Sequence, residues 1–409
     1  MKGDGIIGRL GRAVMVAFCF LSGAGASFSQ TPEPTVTQGE HDPFRSFVDG
    51  LWAEAKARGI SRSVFDQAFS GLSPDSKVLA LTRKQSEFSQ PIWSYVAAAA
   101  SPARVARGQE AARQWSAALD AIERSYGVPR TILLGIWGME TNFGAAKGST
   151  DVIRALATLA AARYRGEFFR GELLVALDLL QAGLSRADLT GSWAGAMGHT
   201  QFMPSSYVKY RADGDGDGVS DIWLSVADAL ASTANYLRQN GWQPGLPWGF
   251  EVELPEGFDF RHHRHSFARW AELGVGRRNG EPMPRQGEAT LFLPAGARGP
   301  AFLVTGNYDV IKSYNSSDAY ALGVAHLGDL ALGGPPIQAR WPSDEPMLAK
   351  DHREELQKRL GALGFYSGEA DGRFGSKTRE AVRRFQLERG LIADGYASWA
   401  VLKELRAAR

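Results

Sequence analysis

The chain has 409 residues, 44% of them hydrophobic and 22% charged, and its formal net charge is +2. That length predicts two or three domains with cores of ordinary size. A net charge so near zero lacks the electrostatic footprint of a nucleic-acid-binding protein, so we expect no nucleic-acid partner. The single cysteine, Cys19, lies in the N-terminal segment, which excludes disulfides, thiolate metal sites and a cysteine nucleophile from the rest of the chain.

Residues 1–26 have the pattern of a secretory signal peptide. A basic start precedes the apolar run AVMVAFCFL, and Ala24-Gly25-Ala26 matches a cleavage site of the A-x-A type. The alternative is a retained membrane anchor, but a helix of that run would span only ~14 Å of a hydrocarbon core of ~30 Å. We therefore expect export to the periplasm with cleavage near Ala26, and membrane association after export stays open.

The remaining chain divides into a polar lead and a mainly helical region. Residues 27–41 are polar, contain proline and lack periodicity, which predicts a disordered lead. Residues 42–333 show apolar residues at helical spacing and form one predicted domain. Between about residues 248 and 302 the apolar residues alternate among many glycines and prolines, which predicts an insertion of short strands and loops.

The C-terminal part predicts a linker and a small second domain. Residues 334–346 hold four prolines and favour an extended linker. Residues 347–409 contain two Asp-Gly turn signals, each followed by a helical pattern, which predicts a three-helix unit. The predicted fold class is therefore mainly α, with one large helical domain that carries a strand-rich insertion and one small helical domain.

Glu140 stands in the stretch GIWGMETNFG, residues 135–144. Pro129 suits a first helical position and Gly144 a C-terminal cap, so we expect Glu140 near the carboxyl end of a buried helix. Burial and the negative end of the helix dipole both raise the pKa of a carboxylic acid, as a general acid that cleaves an acetal requires. The alternative is an ordinary solvent-facing helix glutamate.

A second dense segment, GSWAGAMGHTQFMPS, covers residues 191–205. Ser192 and Gln201 offer neutral hydrogen bonds, suited to sugar hydroxyl and acetamido groups. Trp193 and Phe202 offer flat apolar faces, although a core position is equally open for both. Ser205 or the serine after it is the expected N-cap of a following helix. Together with Glu140, this segment indicates an enzyme that cuts a polysaccharide across a groove.

The carboxylates near these segments favour an unusual cleavage route. An ordinary glycosidase flanks the bond with two carboxylates. No aspartate or glutamate other than Glu140 occurs between Glu123 and Asp151, and residues 191–207 contain none. This favours a reaction in which the substrate supplies the nucleophile, while a distant carboxylate brought close by the fold remains the alternative.

The run DGDGDGVSD, residues 213–221, matches most of an EF-hand loop. Leu224 stands where the bidentate glutamate of such a loop belongs, and a residue four positions later could close a lengthened site. The alternative is a solvated acidic turn. The candidate ligands of a structural Ca²⁺ are Asp213, Asp215, Asp217, Val219, Asp221 and Asp228.

These segments resemble the membrane-bound lytic murein transglycosylase B family. The resemblance covers residues 42–332 and is carried by the two segments above, by DGDGDGVSDIW with ADALASTANYL, and by SYNSS at residues 313–317. Residues 351–405 resemble the peptidoglycan-binding domain of many wall hydrolases. The resemblance implies a lysozyme-like catalytic domain that acts on peptidoglycan glycan strands.

The resemblance also implies a mechanism without a cofactor. Glu140 would protonate the oxygen of the β-1,4 bond between N-acetylmuramic acid and N-acetylglucosamine, then act as base toward the muramyl C6 hydroxyl, giving a 1,6-anhydro ring without water. The Asp-rich loop would be the calcium loop of the family, with a structural role. The implied groove contacts are Ser192, Gln201, Phe202, Tyr314 and Asn315.

Two other functions remain open at this point. One is a hydrolytic muramidase, whose product is heavier by one water. The other is a non-catalytic wall-binding or scaffold protein, which the terminal unit alone would support.

Overall fold

The computed structural model of the chain describes residues 42–84, 90–342, 344 and 346–408. This part contains 17 α-helices and seven short strands, so the predicted mainly helical class is confirmed. The predicted signal peptide (1–26) and disordered lead (27–41) lie outside the described residues. Within the described part, no helix combines the length and apolarity needed to cross a membrane.

The helices up to residue 239 are α1 (Pro43–Ala57), α2 (Arg62–Phe69), α3 (Ser76–Lys84), α4 (Ile92–Ala99), α5 (Pro102–Gln114), α6 (Ser116–Tyr126), α7 (Arg130–Thr141), α8 (Val152–Ala161), α9 (Phe168–Gln181), α10 (Pro204–Tyr210) and α11 (Val226–Gln239). The later helices are α12 (Phe267–Glu272), α13 (Gly306–Tyr314), α14 (Asp318–Ala331), α15 (Lys350–Ala362), α16 (Ser376–Glu388) and α17 (Trp399–Ala407). The strands are β1 (Thr150–Asp151), β2 (Thr190–Gly191), β3 (Gly249–Glu253), β4 (Arg264–Ser266), β5 (Gly276–Arg277), β6 (Glu288–Phe292) and β7 (Ala301–Val304).

The described residues form two compact units, and each is treated by itself below. The first, called the hairpin unit, comprises residues 42–84 and 139–233. The second, called the sheet unit, comprises residues 90–138 and 234–408. The boundaries between them fall within the sequences of α7 and α11.

The hairpin unit is built around α8 and α9. Eight of the ten residues of α8 are buried, because its sequence VIRALATLAA is apolar almost all round. The side chain of Asp151 caps this helix by accepting a hydrogen bond from the amide of Arg154 at 3.0 Å. Helices α1, α2 and α3 pack on α8, and α10 packs on α9.

Two glycines allow close backbone contact between α7 and α14 in the sheet unit. A Cβ on Gly135 would lie 2.1 Å from the carbonyl oxygen of Val324, and one on Gly328 would lie 1.9 Å from that of Thr131. Because no side chain fits in such a space, both positions require glycine. This contact sets the packing of the first part of α7.

The predicted insertion forms a five-stranded antiparallel sheet of order β4-β6-β7-β3-β5. Its core includes the fully buried Phe267 and Trp270 of α12. The indole nitrogen of Trp270 donates to the carbonyl of Ala289 at 3.0 Å, which joins α12 to β6. The strand-rich insertion expected from the alternating apolar pattern is therefore present.

The predicted three-helix unit consists of α15, α16 and α17 around one apolar core. It contacts the rest of the sheet unit through charged side chains. Arg379 of α16 pairs with Asp318 at the start of α14, with 2.6 Å between Nη1 and Oδ2. Asp394 accepts a hydrogen bond from the amide of Ala297 at 3.0 Å. The linker is also bound, because the amides of Gln338 and Ala339 each donate to the carboxylate of Glu251 at 2.8 Å.

Candidate active site

Glu140 occupies the second-last position of α7 and is 4% exposed. The predicted buried helix end is therefore observed. The helix stops earlier than expected, because Asn142 and Phe143 already have positive φ angles of 51° and 60°. Such values are uncommon outside glycine and cost about 1–3 kcal/mol each. The proposed cap Gly144, with φ 84°, is thus only the third residue of the left-handed turn, and its assignment as the cap was wrong.

Thr141 joins the helix end to the second segment. Its hydroxyl donates to the carbonyl oxygen of His199 at 2.6 Å and accepts a hydrogen bond from the amide of Gly144 at 3.0 Å. Since Thr141 follows Glu140 directly, these bonds fix the position of the Glu140 backbone relative to residues 191–205.

Residues 190–202 form a compact hairpin that pairs with β1. Strands β1 and β2 are antiparallel, and further bridges join Met197 to both Gly191 and Phe202. A Cβ on Gly191 would lie 2.1 Å from the carbonyl oxygen of Ala196, and one on Gly148 would lie 2.2 Å from that of Gly191. These close backbone contacts explain at least part of the small-residue composition of this segment.

The two predicted polar contacts hold this hairpin together. Ser192 is 1% exposed, and its Oγ accepts hydrogen bonds from the amides of Ala196 at 3.1 Å and Ala194 at 3.4 Å. Gln201, with φ 56°, donates from Nε2 to the carbonyls of Gly198 at 3.0 Å and Lys147 at 3.1 Å. Both side chains therefore satisfy backbone groups of the hairpin, and Gln201 also binds the backbone of Lys147.

Phe202 has no exposed surface and lies in the core, the alternative that the sequence left open. Trp193 is 9% exposed. The burial of Phe202 means that its ring offers no accessible face.

Glu172 of α9 is a functional candidate that sequence reasoning missed. It is 5% exposed, and its two oxygens accept hydrogen bonds from the amide (2.9 Å) and the hydroxyl (2.6 Å) of Ser205. The N-cap position of α10 is Met203, which has no capping side chain, so the predicted serine cap was wrong and Glu172 satisfies these donors instead. Burial raises the pKa of Glu172, and the bonds from Ser205 partly oppose this. In the sequence, its position within the apolar run of α9 was the feature that could have indicated a buried carboxylate.

His199 is buried and neutral at pH 7. Burial, with a smaller contribution from the charge of Lys147, lowers its pKa to about 4, and Asp221 opposes the shift. Its amide donates to the carbonyl of Ile222 at 2.9 Å. Lys147 donates to the carbonyl of Trp223 at 2.6 Å, so the end of the Asp-rich loop is bound directly to the hairpin region.

The Asp-rich loop brings three of the predicted calcium ligands together. Oxygens of Asp213, Asp215 and Asp217 lie within 4.8 Å of one another, and all three residues are exposed. Backbone hydrogen bonds from Gly218 and Gly216 lower the pKa of Asp213. Several hard oxygen donors at this spacing fit Ca²⁺, which takes six to eight oxygen ligands.

The other predicted ligands are arranged differently. Asp228 is fully buried and accepts amide hydrogen bonds from Gly214 and Asp221, each at 2.7 Å. Asp221 accepts from the amides of Trp223 and Leu224 at 2.8 and 2.9 Å. Both carboxylates therefore organise the loop backbone. Val219 is 60% exposed, and its amide donates to Asp217 at 2.7 Å.

Tyr314 and Asn315 lie at the carboxyl end of α13 in the sheet unit. Tyr314 is fully buried, with its ring edge-on to Tyr236 at a centroid distance of 5.0 Å. Asn315 accepts a hydrogen bond from the amide of Ser317 at 3.1 Å. Their contact with a substrate stays a prediction.

The features described above define a two-module enzyme of the lysozyme-like class. They are a buried acid at the end of an apolar helix, a tightly bonded hairpin, and a terminal three-helix module. The chain belongs to the family described as the transglycosylase SLT domain, whose profile matches residues 43–329. A peptidoglycan binding domain profile matches residues 350–405.

Individual relatives agree with this family. The structure is similar to that of SltB3 from Pseudomonas aeruginosa in complex with NAG-anhNAM-pentapeptide, with a TM-score of 0.82 and 45% identity over 89% of this chain and 99% of that one. The Escherichia coli lytic transglycosylase Slt35 in complex with calcium has a TM-score of 0.59 and 31% identity, over 71% of this chain and 92% of that one. The membrane-bound lytic murein transglycosylase B of Escherichia coli is 38% identical over 229 residues, which are 52% of this chain and 61% of that protein.

Proposed function

We propose that this protein is a lytic transglycosylase that cleaves the β-1,4 bond between N-acetylmuramic acid and N-acetylglucosamine in peptidoglycan. The observation that carries the proposal is the burial of Glu140 at the end of α7, beside the bond that joins Thr141 to His199. The complex of the relative SltB3 with an anhydromuramyl ligand supports the same product class.

Glu140 performs both proton transfers in this proposal. It first gives its proton to the glycosidic oxygen as the bond from that oxygen to C1 of the muramyl residue breaks. The C6 hydroxyl of the same residue then bonds to C1 and returns its proton to the Glu140 carboxylate. The ring closes to the 1,6-anhydro form, no water is consumed, and no cofactor takes part.

The arrangement of the other buried carboxylates supports a reaction with a single acid. Among the described residues of the hairpin unit, Glu172 and Asp228 are also buried, and both oxygens of each accept hydrogen bonds from the protein. A carboxylate committed in this way is poorly placed to activate water. These hydrogen bonds therefore support the expectation that the reaction uses no second catalytic carboxylate.

We assign the predicted groove residues different roles. Gln201 contributes its Oε1, since its Nε2 already binds two backbone carbonyls. Asn315 contributes its amide nitrogen, since Oδ1 binds Ser317. Ser192, Phe202 and Tyr314 are buried and act by shaping the loops that carry the contacts.

Two further proposals concern the setting of the enzyme. Asp213, Asp215 and Asp217 bind a structural Ca²⁺, for which their clustered oxygens and the calcium complex of the relative Slt35 are the support. Residues 1–26 direct export to the periplasm, and the three-helix module at 347–409 binds the wall. The apolar run, the A-x-A site and the matching domain profile support these assignments.

Mass spectrometry of the products tests the activity. Purified peptidoglycan is incubated with the protein and, in parallel, with Glu140→Gln. We expect muropeptides with 1,6-anhydro ends from the native protein and none from the variant. Products heavier by one water would instead identify a hydrolytic muramidase. Sedimentation with the wall without any released product would identify a wall-binding protein.

A further inference from the structure

A cavity of about 420 Å³ lies in the sheet unit, and its lining includes none of the candidate active-site residues. Its wall includes Thr131 near the start of α7, whereas Glu140 is at the other end of that helix. The other walls come from β3, the turn after β5, α14 and the linker segment at residues 334–338. The volume falls in the range of about 300–1,000 Å³ that is typical of small-ligand pockets.

Polar groups line this cavity, and two of their buried atoms lack a hydrogen-bond partner in the described part of the chain. His326 of α14 lies half-buried in the wall, and burial lowers its pKa to about 4, so the ring is neutral at pH 7. Nε of Arg277 and Nε of Arg278 are buried without a hydrogen-bond partner in the described part. Asp329 receives one bond, from the indole nitrogen of Trp248 at 3.3 Å. Buried polar groups normally have partners, so such a concentration indicates a ligand.

The charges in the cavity disfavour an anionic ligand. Arg277 pairs with Glu281 at 2.5 Å, and Nε of Arg278 lies 3.5 Å from Glu251. Each guanidinium therefore already has a carboxylate neighbour, and Asp329 adds a further acidic group. A phosphate or carboxylate ligand would meet at least as much negative as positive charge, whereas a neutral ligand with several hydroxyl groups would meet both donors and acceptors.

Aromatic rings complete the cavity. Trp248 is half-buried and lines the cavity together with the buried Trp242 and Phe250. Flat apolar rings beside hydrogen-bond donors and acceptors match a pyranose, which has an apolar face and a rim of hydroxyls.

We propose that this cavity is a second glycan-binding site, which holds one N-acetylhexosamine ring of a neutral sugar chain through Trp248, His326 and Asp329. The choice of sugar rests on the proposed function, since the glycan strand is the polymer on which the enzyme acts. A glycan strand bound here as well as at the wall-binding module would be retained more strongly than by either contact alone.

Binding of chitotriose, the trimer of N-acetylglucosamine, to the full chain tests this proposal. Isothermal titration calorimetry is done with the Glu140→Gln protein, which keeps the probe intact, and with the same protein carrying Asp329→Asn or His326→Gln. Both second substitutions preserve side-chain size. The matched control is His265→Gln, a half-buried histidine on β4 that lies outside both the cavity and the wall-binding module.

We expect the Glu140→Gln protein and the His265→Gln control to bind the same number of chitotriose molecules. Asp329→Asn and His326→Gln should each weaken binding at one of these sites at least tenfold. Unchanged stoichiometry and affinity in both cavity variants, or displacement of chitotriose from the cavity by a free stem pentapeptide, would overturn the proposal. Product analysis of Asp329→Asn in the protein that retains Glu140 separates this proposal from the proposed function. Anhydro products should persist in that variant whether or not the cavity binds sugar.

Discussion

The hydroxyl of Thr141 donates to the carbonyl oxygen of His199 over 2.6 Å, and this bond joins the end of α7 to the hairpin at residues 190–202. Both residues are buried. The amide of His199 in turn donates to the carbonyl of Ile222, at the end of the Asp-rich loop. The candidate acid, the hairpin and the metal loop are thus joined by a short series of hydrogen bonds.

Thr141→Val should reduce both stability and activity. Valine has nearly the shape of threonine but leaves the buried carbonyl of His199 without its donor, which costs about 1–3 kcal/mol. We expect a lower melting temperature and about tenfold lower wall-clearing activity. Thr141→Ser keeps the hydroxyl and is the control. Equal activity in the two variants would show that this bond does not position Glu140.

Glu140→Gln should abolish the release of muropeptides while the protein still sediments with insoluble wall. Glutamine is similar in size but cannot supply a proton, and general acid catalysis contributes about 10²–10⁴-fold. Turbidity of wall suspensions measures the activity, and circular dichroism checks the fold. Full clearing by this variant would remove Glu140 from the catalytic role.

Calcium should raise the melting temperature of the native protein. A ligand that binds only the folded state stabilises it by about 2.7 kcal/mol at a hundred times its dissociation constant. Asp217→Ala removes one of the three clustered carboxylates and should abolish most of the shift. Glu256→Gln, which removes an exposed acid elsewhere, is the control. An identical calcium shift in Asp217→Ala would exclude this residue as a ligand.

The sequence predicted the elements whose signals are local. The spacing of apolar residues and the turn residues were sufficient to predict the helical domain, the strand-rich insertion and the three-helix module. Glu140 stood out because one carboxylate ended an apolar helix. These features depend on neighbours within a few positions, which the sequence displays directly.

The features that sequence reasoning missed depend on residues far apart in the chain. Glu172 binds Ser205 from a different helix, and nothing near either residue shows this pairing. Asp228 matched the spacing of a metal ligand, yet it binds the amides of Gly214 and Asp221. Spacing alone cannot distinguish a carboxylate oxygen that binds a cation from one that accepts a hydrogen bond from a backbone amide. Both arrangements place a carboxylate in a loop.

Arg379→Met should destabilise the whole protein more than a surface substitution does. Burial opposes the ionisation of Asp318, yet its pKa lies below the usual value because Arg379 and Lys312 stabilise the charge. Removal of Arg379 leaves the buried carboxylate with Lys312 as its remaining cationic partner among the described residues, and we expect a cost of about 2–3 kcal/mol at this partly exposed arginine. The control is Arg383→Met, whose partner Glu380 lies on the same helix.

The double variant Arg379→Met with Asp318→Asn should recover part of the lost melting temperature, because Asp318→Asn removes the buried charge that Arg379 helped to stabilise. This contact also means that deletion of residues 347–409 would remove one of the two cationic partners of Asp318 as well as the proposed wall-binding surface. Equal losses in Arg379→Met and Arg383→Met would show that the pair contributes little to stability.

Asp329→Asn should change how stability depends on pH. Burial raises the pKa of Asp329 to about 6, and the Trp248 bond and the charge of Arg277 oppose this shift only in part. A carboxyl group with a raised folded-state pKa contributes stability that is complete below its unfolded pKa of about 3.9 and is lost as the pH rises through about 6. Asparagine cannot titrate, so its contribution is constant across this range.

The stability of the native protein relative to Asp329→Asn should therefore fall by about 2 kcal/mol between pH 4.5 and 7.5. Melting temperatures of both proteins measured across that interval give this difference directly. The titration of the nearby His326, whose pKa is about 4 in the fold, is common to both proteins and largely cancels. A stability difference between the two proteins that stays constant with pH, or that grows as the pH rises, would mean that Asp329 is solvated like an ordinary surface aspartate. In that case the cavity would lose its acidic group of near-neutral pKa.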